Sequence, residues 1–238
     1  MTAQERSPSG TEAQRHRKPF LSAALCLCGF VLSLWAGPAA ADTARPIVGA
    51  YILAERGVDV VEQLKPGRVT HLLYAFLLIC GEGQRPQDQA ACADRPAFSI
   101  APHADQGIFS AAFERLKARD PQVQVLASVG GWGGSDPFFH LAQNPAGRAA
   151  FVASAQQFLR EHPAFDGIDI DWEHPGDNSA VNGVKLGSPA DGQAYADLLT
   201  DLRQSLDALG RETGRRYLVT MAVNTMSPIV QRINFRQA

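Results

Sequence analysis

Residues 165–176 read FDGIDIDWEHPG, and four carboxylates fall within eight of them: Asp166, Asp169, Asp171 and Glu173. Side chains alternate along a strand, so Asp169, Asp171 and Glu173 share one face. Ile168, Ile170 and Trp172 take the other face, where they pack under helices. Three acids lining a strand are expensive, because buried like charges do not all stay ionised. Some must hold protons, which is how a carboxyl comes to act as an acid near neutral pH. A solvated acidic turn would not be interleaved with Ile, Ile and Trp. A hard cation wants oxygens from a curved loop that wraps it, which a straight strand supplies poorly. Acid–base catalysis is the reading that accounts for the pattern.

The segments around this stretch alternate strand and helix. Strands are expected at 47–52 (IVGAYI), 69–79 (VTHLLYAFLLI), 123–131 (VQVLASVGG), 165–172 and 217–225, and 232–235 reads as the start of a sixth. Tyr74 and Phe76 fall on one face of the second, by alternation. A weak helix is expected at 58–64, and a second from Ser110, carrying Phe113 and Leu116. Asn144-Pro145 opens a third, Asn as cap and Pro in the first turn. Ser188-Pro189 opens a fourth with Tyr195, Leu198, Leu199, Leu202, Leu206 and Leu209 along one stripe, stopped by Gly210. Residues 80–107 form a Gly/Pro/Asp-rich insertion.

Repeated strand–helix units give a parallel sheet, either doubly wound or a (β/α)8 barrel. The first strand is followed by LAERGV at 53–58, whose single glycine excludes a dinucleotide turn. A barrel takes about 250 residues, and the element count alone leaves the choice open.

With 45% hydrophobic and 19% charged residues, the 238-residue chain is neither wholly disordered nor a multi-span membrane protein. Its net charge of −2 offers no basic field to a nucleic acid. RHRK at 15–18, an apolar run from Phe20 to Trp35, and Ala39 and Ala41 spaced as A-x-A read as a secretory signal cleaved after Ala41. That expectation makes the protein secreted or periplasmic, with no stable membrane span after cleavage. Cleavage leaves 197 residues with 18 basic and 22 acidic groups, once four basic residues are taken from 22 and two acidic ones from 24. Two cysteines remain, Cys80 and Cys92. An even pair in an exported chain is expected to bond, worth about 3 kcal/mol against the unfolded state, with two free thiols as the alternative.

SVGGW at 128–132 ends the third strand, and its glycines let a backbone or ligand approach closely. Trp132 either offers a flat face to a sugar or packs behind the sheet. The long polar loop at 174–187 starts at the acidic cluster, on the side where barrel active sites form.

DGIDIDWE resembles the D-G-x-D-x-D-x-E signature of glycoside hydrolase family 18, the chitinases and their relatives. SVGG, with Ser128, Gly130 and Gly131, resembles the family's S-x-G-G signature, and THLLYAF followed by ICG resembles bacterial secreted chitinases. The resemblance runs from about Ile47 to about Phe235 and implies a (β/α)8 barrel. It implies Glu173 as general acid/base, Asp171 as the carboxylate orienting the substrate's N-acetyl group, Asp169 as its proton-sharing neighbour and Asp166 as a structural acid. Tyr51 and Phe76 fall near aromatics that line the sugar site. The implied reaction is retaining, substrate-assisted hydrolysis of chitin, the family's exception to two-carboxylate catalysis. Chitin or N-acetylglucosamine oligomers are the implied partner, no cofactor or metal is expected, and a complete barrel is expected to be monomeric. Alternatives are an endo-β-N-acetylglucosaminidase acting on glycoprotein glycans, or a sugar-binding lectin of the same fold. The family's sixth-strand Met-Thr/Ser-Tyr-Asp run and its eighth-strand aromatic have no counterpart in the sequence, so an incomplete barrel of about five βα units is expected.

Overall fold

Strands β1 (Gly49–Leu53), β2 (His71–Ile79), β3 (Ile100–Ala101), β4 (Gln124–Gly130), β5 (Gly167–Asp171) and β6 (Leu218–Met221) form the sheet of this computed structural model, which describes residues 46–237. The expected signal segment, 1–41, lies outside the described residues. Five strands run parallel in the order β1-β2-β4-β5-β6, and β3 pairs antiparallel with the end of β2. Sequential parallel strands joined by crossover helices are consistent with part of a (β/α)8 barrel, with five such strands among the described residues.

Helices α1 (Asp59–Glu62), α2 (Gln89–Cys92), α3 (Gln106–Arg119), α4 (Pro137–Leu141), α5 (Pro145–Glu161), α6 (Asp191–Thr213) and α7 (Ser227–Val230) complete the fold. Among the described residues no helix is long and apolar enough to cross a membrane. The core lies between the outer sheet face and α3, α5 and α6. Tyr74 packs on Phe109 at 4.8 Å and on Phe165 at 5.9 Å. Trp172, fully buried, stacks on Phe138 at 5.7 Å and meets Tyr195 edge-on at 5.4 Å. Ile168 and Ile170 are buried as expected, and every residue of the α6 stripe is buried with them. At the start of α5, Asn144 Oδ1 accepts from the Ala146 N–H at 3.0 Å, the cap its sequence predicts. Cys80 and Cys92 are bonded, tying α2 to the end of β2.

Four expectations need correction. Residues 232–235 are a turn, not a strand: after α7 the chain folds back onto the start of α6, burying Ile233 in the core. The α6 helix runs past Gly210 and ends at Gly214, whose left-handed φ of +69° supplies the stop. Gly210 serves packing instead, since a Cβ there would lie 2.6 Å from the Arg215 carbonyl oxygen. The α3 helix begins at Gln106 rather than Ser110, because Phe109 is drawn into the core beside Tyr74. Tyr74 and Phe76 do not share a face: the β2–β4 register shifts between Tyr74 and Leu77, leaving Tyr74 under the helices and Phe76 on the inner face.

Candidate active site

The register of three neighbouring strands sets the centre of the site. Ser128 of β4 lies beside Asp169 of β5, which lies beside Thr220 of β6. Parallel neighbours at one level point to the same face, so the two hydroxyls flank the carboxylate. Ser128 Oγ donates to Asp169 Oδ2 at 2.7 Å, and Thr220 Oγ1 donates to Oδ1 at 2.5 Å. The Tyr51 hydroxyl donates to Oδ2 at 3.2 Å from β1. Asp169, only 1% exposed, therefore accepts from three strands, which satisfies a buried acid that would otherwise be costly.

Asp171 sits one pleat further along β5, also buried. No hydrogen-bond donor reaches its carboxyl among the described residues. Burial, then the charges of Glu173 and Asp169, push it up to about 7. This is the carboxyl that holds a proton near neutrality, the outcome expected of acids crowded on one strand. Burial first, and the Asp169 charge second, also raise the Tyr51 hydroxyl well above its ordinary range, so it stays a donor.

Glu173 lies beyond the end of β5, and its backbone N–H donates to Ser135 Oγ at 3.1 Å. Glu173 opens into a cleft of about 250 Å³ with Asp171, Tyr51, Phe76, His174 and Asn224. Tyr51 and Phe76 face each other across 6.0 Å. Trp132 stands 53% exposed, 6.3 Å from the His174 ring, and lines an adjoining cleft of about 360 Å³ with Phe76. Trp132 therefore does not pack behind the sheet.

The two signature glycines hold the strand ends together. A Cβ on Gly130 (φ +107°) would lie 2.4 Å from the Asp171 carbonyl oxygen, and one on Gly131 (φ +79°) would lie 2.8 Å from the Phe76 ring. The Gly131 N–H donates to that same Asp171 carbonyl at 2.9 Å.

Asp166 lies at the opposite end of β5. It accepts from the Val125 N–H at 2.8 Å, from Arg215 at 3.2 Å and from Lys117, so it joins β4, α3 and the entry to β6. Sequence reasoning missed Ser135, Thr220, His174 and Asn224. Their roles depend on register and loop path, and only His174, next to the acidic run, carries a signal in the sequence. Among the described residues no group of His, Cys, Asp and Glu is arranged to hold a metal.

Residues 49–234 match the sequence profile of glycosyl hydrolases family 18. The chain belongs to that family. It is 34% identical over 224 residues to chitinase A of Pseudoalteromonas piscicida, an alignment covering 81% of this chain and 27% of that protein. It is 34% identical over 226 residues to a chitinase of Autographa californica nuclear polyhedrosis virus, covering 81% and 40%. The chain thus spans well under half the length of these curated relatives. Among solved structures, a family 18 N-acetylglucosaminidase from Paenibacillus barengoltzii superposes with a TM-score of 0.62 at 26% identity, covering 81% of this chain and half of that one. Chitinase ChiA74 from Bacillus thuringiensis shares the fold with a TM-score of 0.67 at 24% identity, covering 81% and 38%.

Proposed function

We propose that this family 18 site hydrolyses β-1,4 linkages between N-acetylglucosamine units of chitin, with retention of configuration and with the substrate's own acetamido group as nucleophile. One observation carries the reading. Asp169, Asp171 and Glu173 run in line from a buried, fully hydrogen-bonded acid, through a buried acid raised to about 7, to an acid at the cleft. The named relatives, chitinases at 34% identity, supply the substrate class.

In this reading Glu173 gives its proton to the glycosidic oxygen as the bond to the anomeric carbon breaks. The acetamido oxygen of the same sugar forms the new bond to that carbon, and the departing sugar leaves as an alcohol. Attack within one residue gains from proximity, worth up to several kcal/mol. Asp171, in its ionised fraction, accepts the acetamido N–H and meets the positive charge that develops on the cyclic intermediate. Asp169 backs it, held by Ser128, Thr220 and Tyr51. Glu173, now a carboxylate, takes a proton from water as that water opens the ring. Tyr51, Phe76 and Trp132 supply apolar walls for sugar faces.

The test is Glu173→Gln in a barrel completed with three further βα units from a chitinase relative. The amide keeps the shape and loses the proton. Hydrolysis of a fluorogenic chitin oligomer should fall at least about 100-fold, as loss of general acid–base catalysis does, while oligomer binding persists. Turnover near that of the unmutated barrel would move the acid elsewhere.

A further inference from the structure

His174 follows Glu173 in the chain, and its ring turns back toward that carboxyl: Nε2 lies 3.7 Å from Glu173 Oε2. The same Nε2 lies 3.3 Å from Asn224 Nδ2, on the segment after β6. The orientation of Asn224 decides what this second contact is. Its Oδ1 accepts from the Met226 backbone N–H at 2.8 Å, which an amide NH2 group cannot do. The NH2 of Asn224 therefore faces the imidazole and donates. In this contact Nε2 can only accept, which selects, for the neutral ring, the tautomer with its proton on Nδ1.

Protonation reverses this contact. A proton on Nε2 sets N–H against N–H and ends the bond from Asn224, leaving the Glu173 carboxylate as the acceptor beside it. The charged and titratable groups around the pair are few. Asp171 faces it from β5 and Tyr51 from β1, with Asp169 behind Asp171. Arg232, after α7, is directed to the Pro175 carbonyl at 3.4 Å. Trp132 covers the ring without charge. Among the described residues His174 is the one basic side chain within ion-pair distance of Glu173.

We propose that His174 is a proton-linked positioning residue for Glu173, bonded to Asn224 when neutral and to the Glu173 carboxylate when protonated. This rests on Glu173 being the acid of the reaction. A cation beside a carboxylate favours its ionised form, which is the form unable to donate. Acidification therefore does two opposed things: it supplies the proton Glu173 needs and charges the neighbour that resists it.

The experiment pairs NMR of the His174 imidazole nitrogens with the pH–rate profile of hydrolysis, both on the barrel completed from a chitinase relative. Above pH 8 the nitrogen shifts should report Nδ1 protonated and Nε2 bare. In His174→Gln, whose amide oxygen still accepts from Asn224 but carries no charge, the pH–rate profile should shift by about half to one pH unit, the size of a solvated Coulomb contact at this distance. In Asn224→Leu the neutral ring loses its donor, so the preference for the Nδ1-protonated tautomer should be lost. An Nε2-protonated tautomer in the unmutated barrel overturns the proposal, as do superimposable pH–rate profiles of that barrel and its His174→Gln variant. The tautomer measurement needs no variant to fold. Hydrolysis that survives Glu173→Gln beside an Nδ1-protonated His174 would sink the acid assignment and leave the Asn224–His174 contact supported. Coincident pH–rate profiles beside an inactive Glu173→Gln would sink the coupling alone.

Discussion

Asp171 bears the electrostatic strain of the site. Its carboxyl is raised to about 7 by burial and by its two acidic neighbours, whereas in an unfolded chain it titrates near 3.9. The folded state thus holds the proton more tightly than the unfolded one. Linkage then makes this residue's contribution most favourable below about pH 4 and progressively lost as pH rises through 7. Asp171→Asn removes the titration. The variant should match the parent in stability near pH 4 and exceed it above pH 7. Discounted for partial solvation, the gain is about 1–2 kcal/mol, read from urea unfolding of the barrel completed from a relative at a series of pH values. A constant difference across that range would contradict the assignment. At this scale the sequence was informative, because the period-2 spacing of three acids already places them on one face. It was silent on which acid holds the proton, since that follows from the hydroxyls that reach Asp169 and not Asp171.

Those hydroxyls belong to elements, and their meeting depends on register. Thr220 reaches Asp169 because β6 pairs with β5 at that level, and a slip of one residue would turn it to the helix side. Thr220→Val keeps the shape and removes one donor from a buried carboxylate. It should cost about 1–3 kcal/mol, the penalty for leaving a buried acceptor short of a partner, measured by urea unfolding of the barrel completed from a relative at pH 7. A change below about 0.5 kcal/mol would mean that β6 does not hold this register. Register is the kind of information that apolar runs do not encode. The runs did mark all five long strands, and local chemistry marked the start of α5 through Asn144 and Pro145. Local signals misled where packing outweighed them. Gly210 has the residue type of a stop but lies against the Arg215 carbonyl, and the helix continues to Gly214. Alternation failed along β2 because one register shift separates Tyr74 from Phe76.

Burial along the sheet is uneven, and the unevenness bears on what the whole molecule does. Strands β4 and β5 are buried almost throughout, while β1 and β6 are largely half-exposed or exposed. Among the described residues β1 pairs only with β2, and β6 only with β5. Each outer strand therefore offers backbone groups to any passing strand, and Ile47, Val48, Val223 and Met226 sit exposed near these edges. In a closed barrel of eight strands the two edges are covered and the inner face is filled by layered side chains. The cleft at Glu173 is walled by β1 and by the segment after β6, so the same edges are also the walls of the site. A polypeptide of residues 42–238 alone is expected to be aggregation-prone and to show little or no turnover. The acids keep their register in such a chain, but the sugar between them is held from one side only. Losing a single oriented donor costs about 100-fold in rate, and an open wall removes more than one contact. The check is to purify this polypeptide, follow its association by light scattering, and assay it on a fluorogenic chitin oligomer beside the barrel completed from a relative. A soluble monomer that unfolds cooperatively and turns over at a rate near that of the completed barrel would refute the expectation, and would make five strands with Asp169, Asp171 and Glu173 a sufficient site.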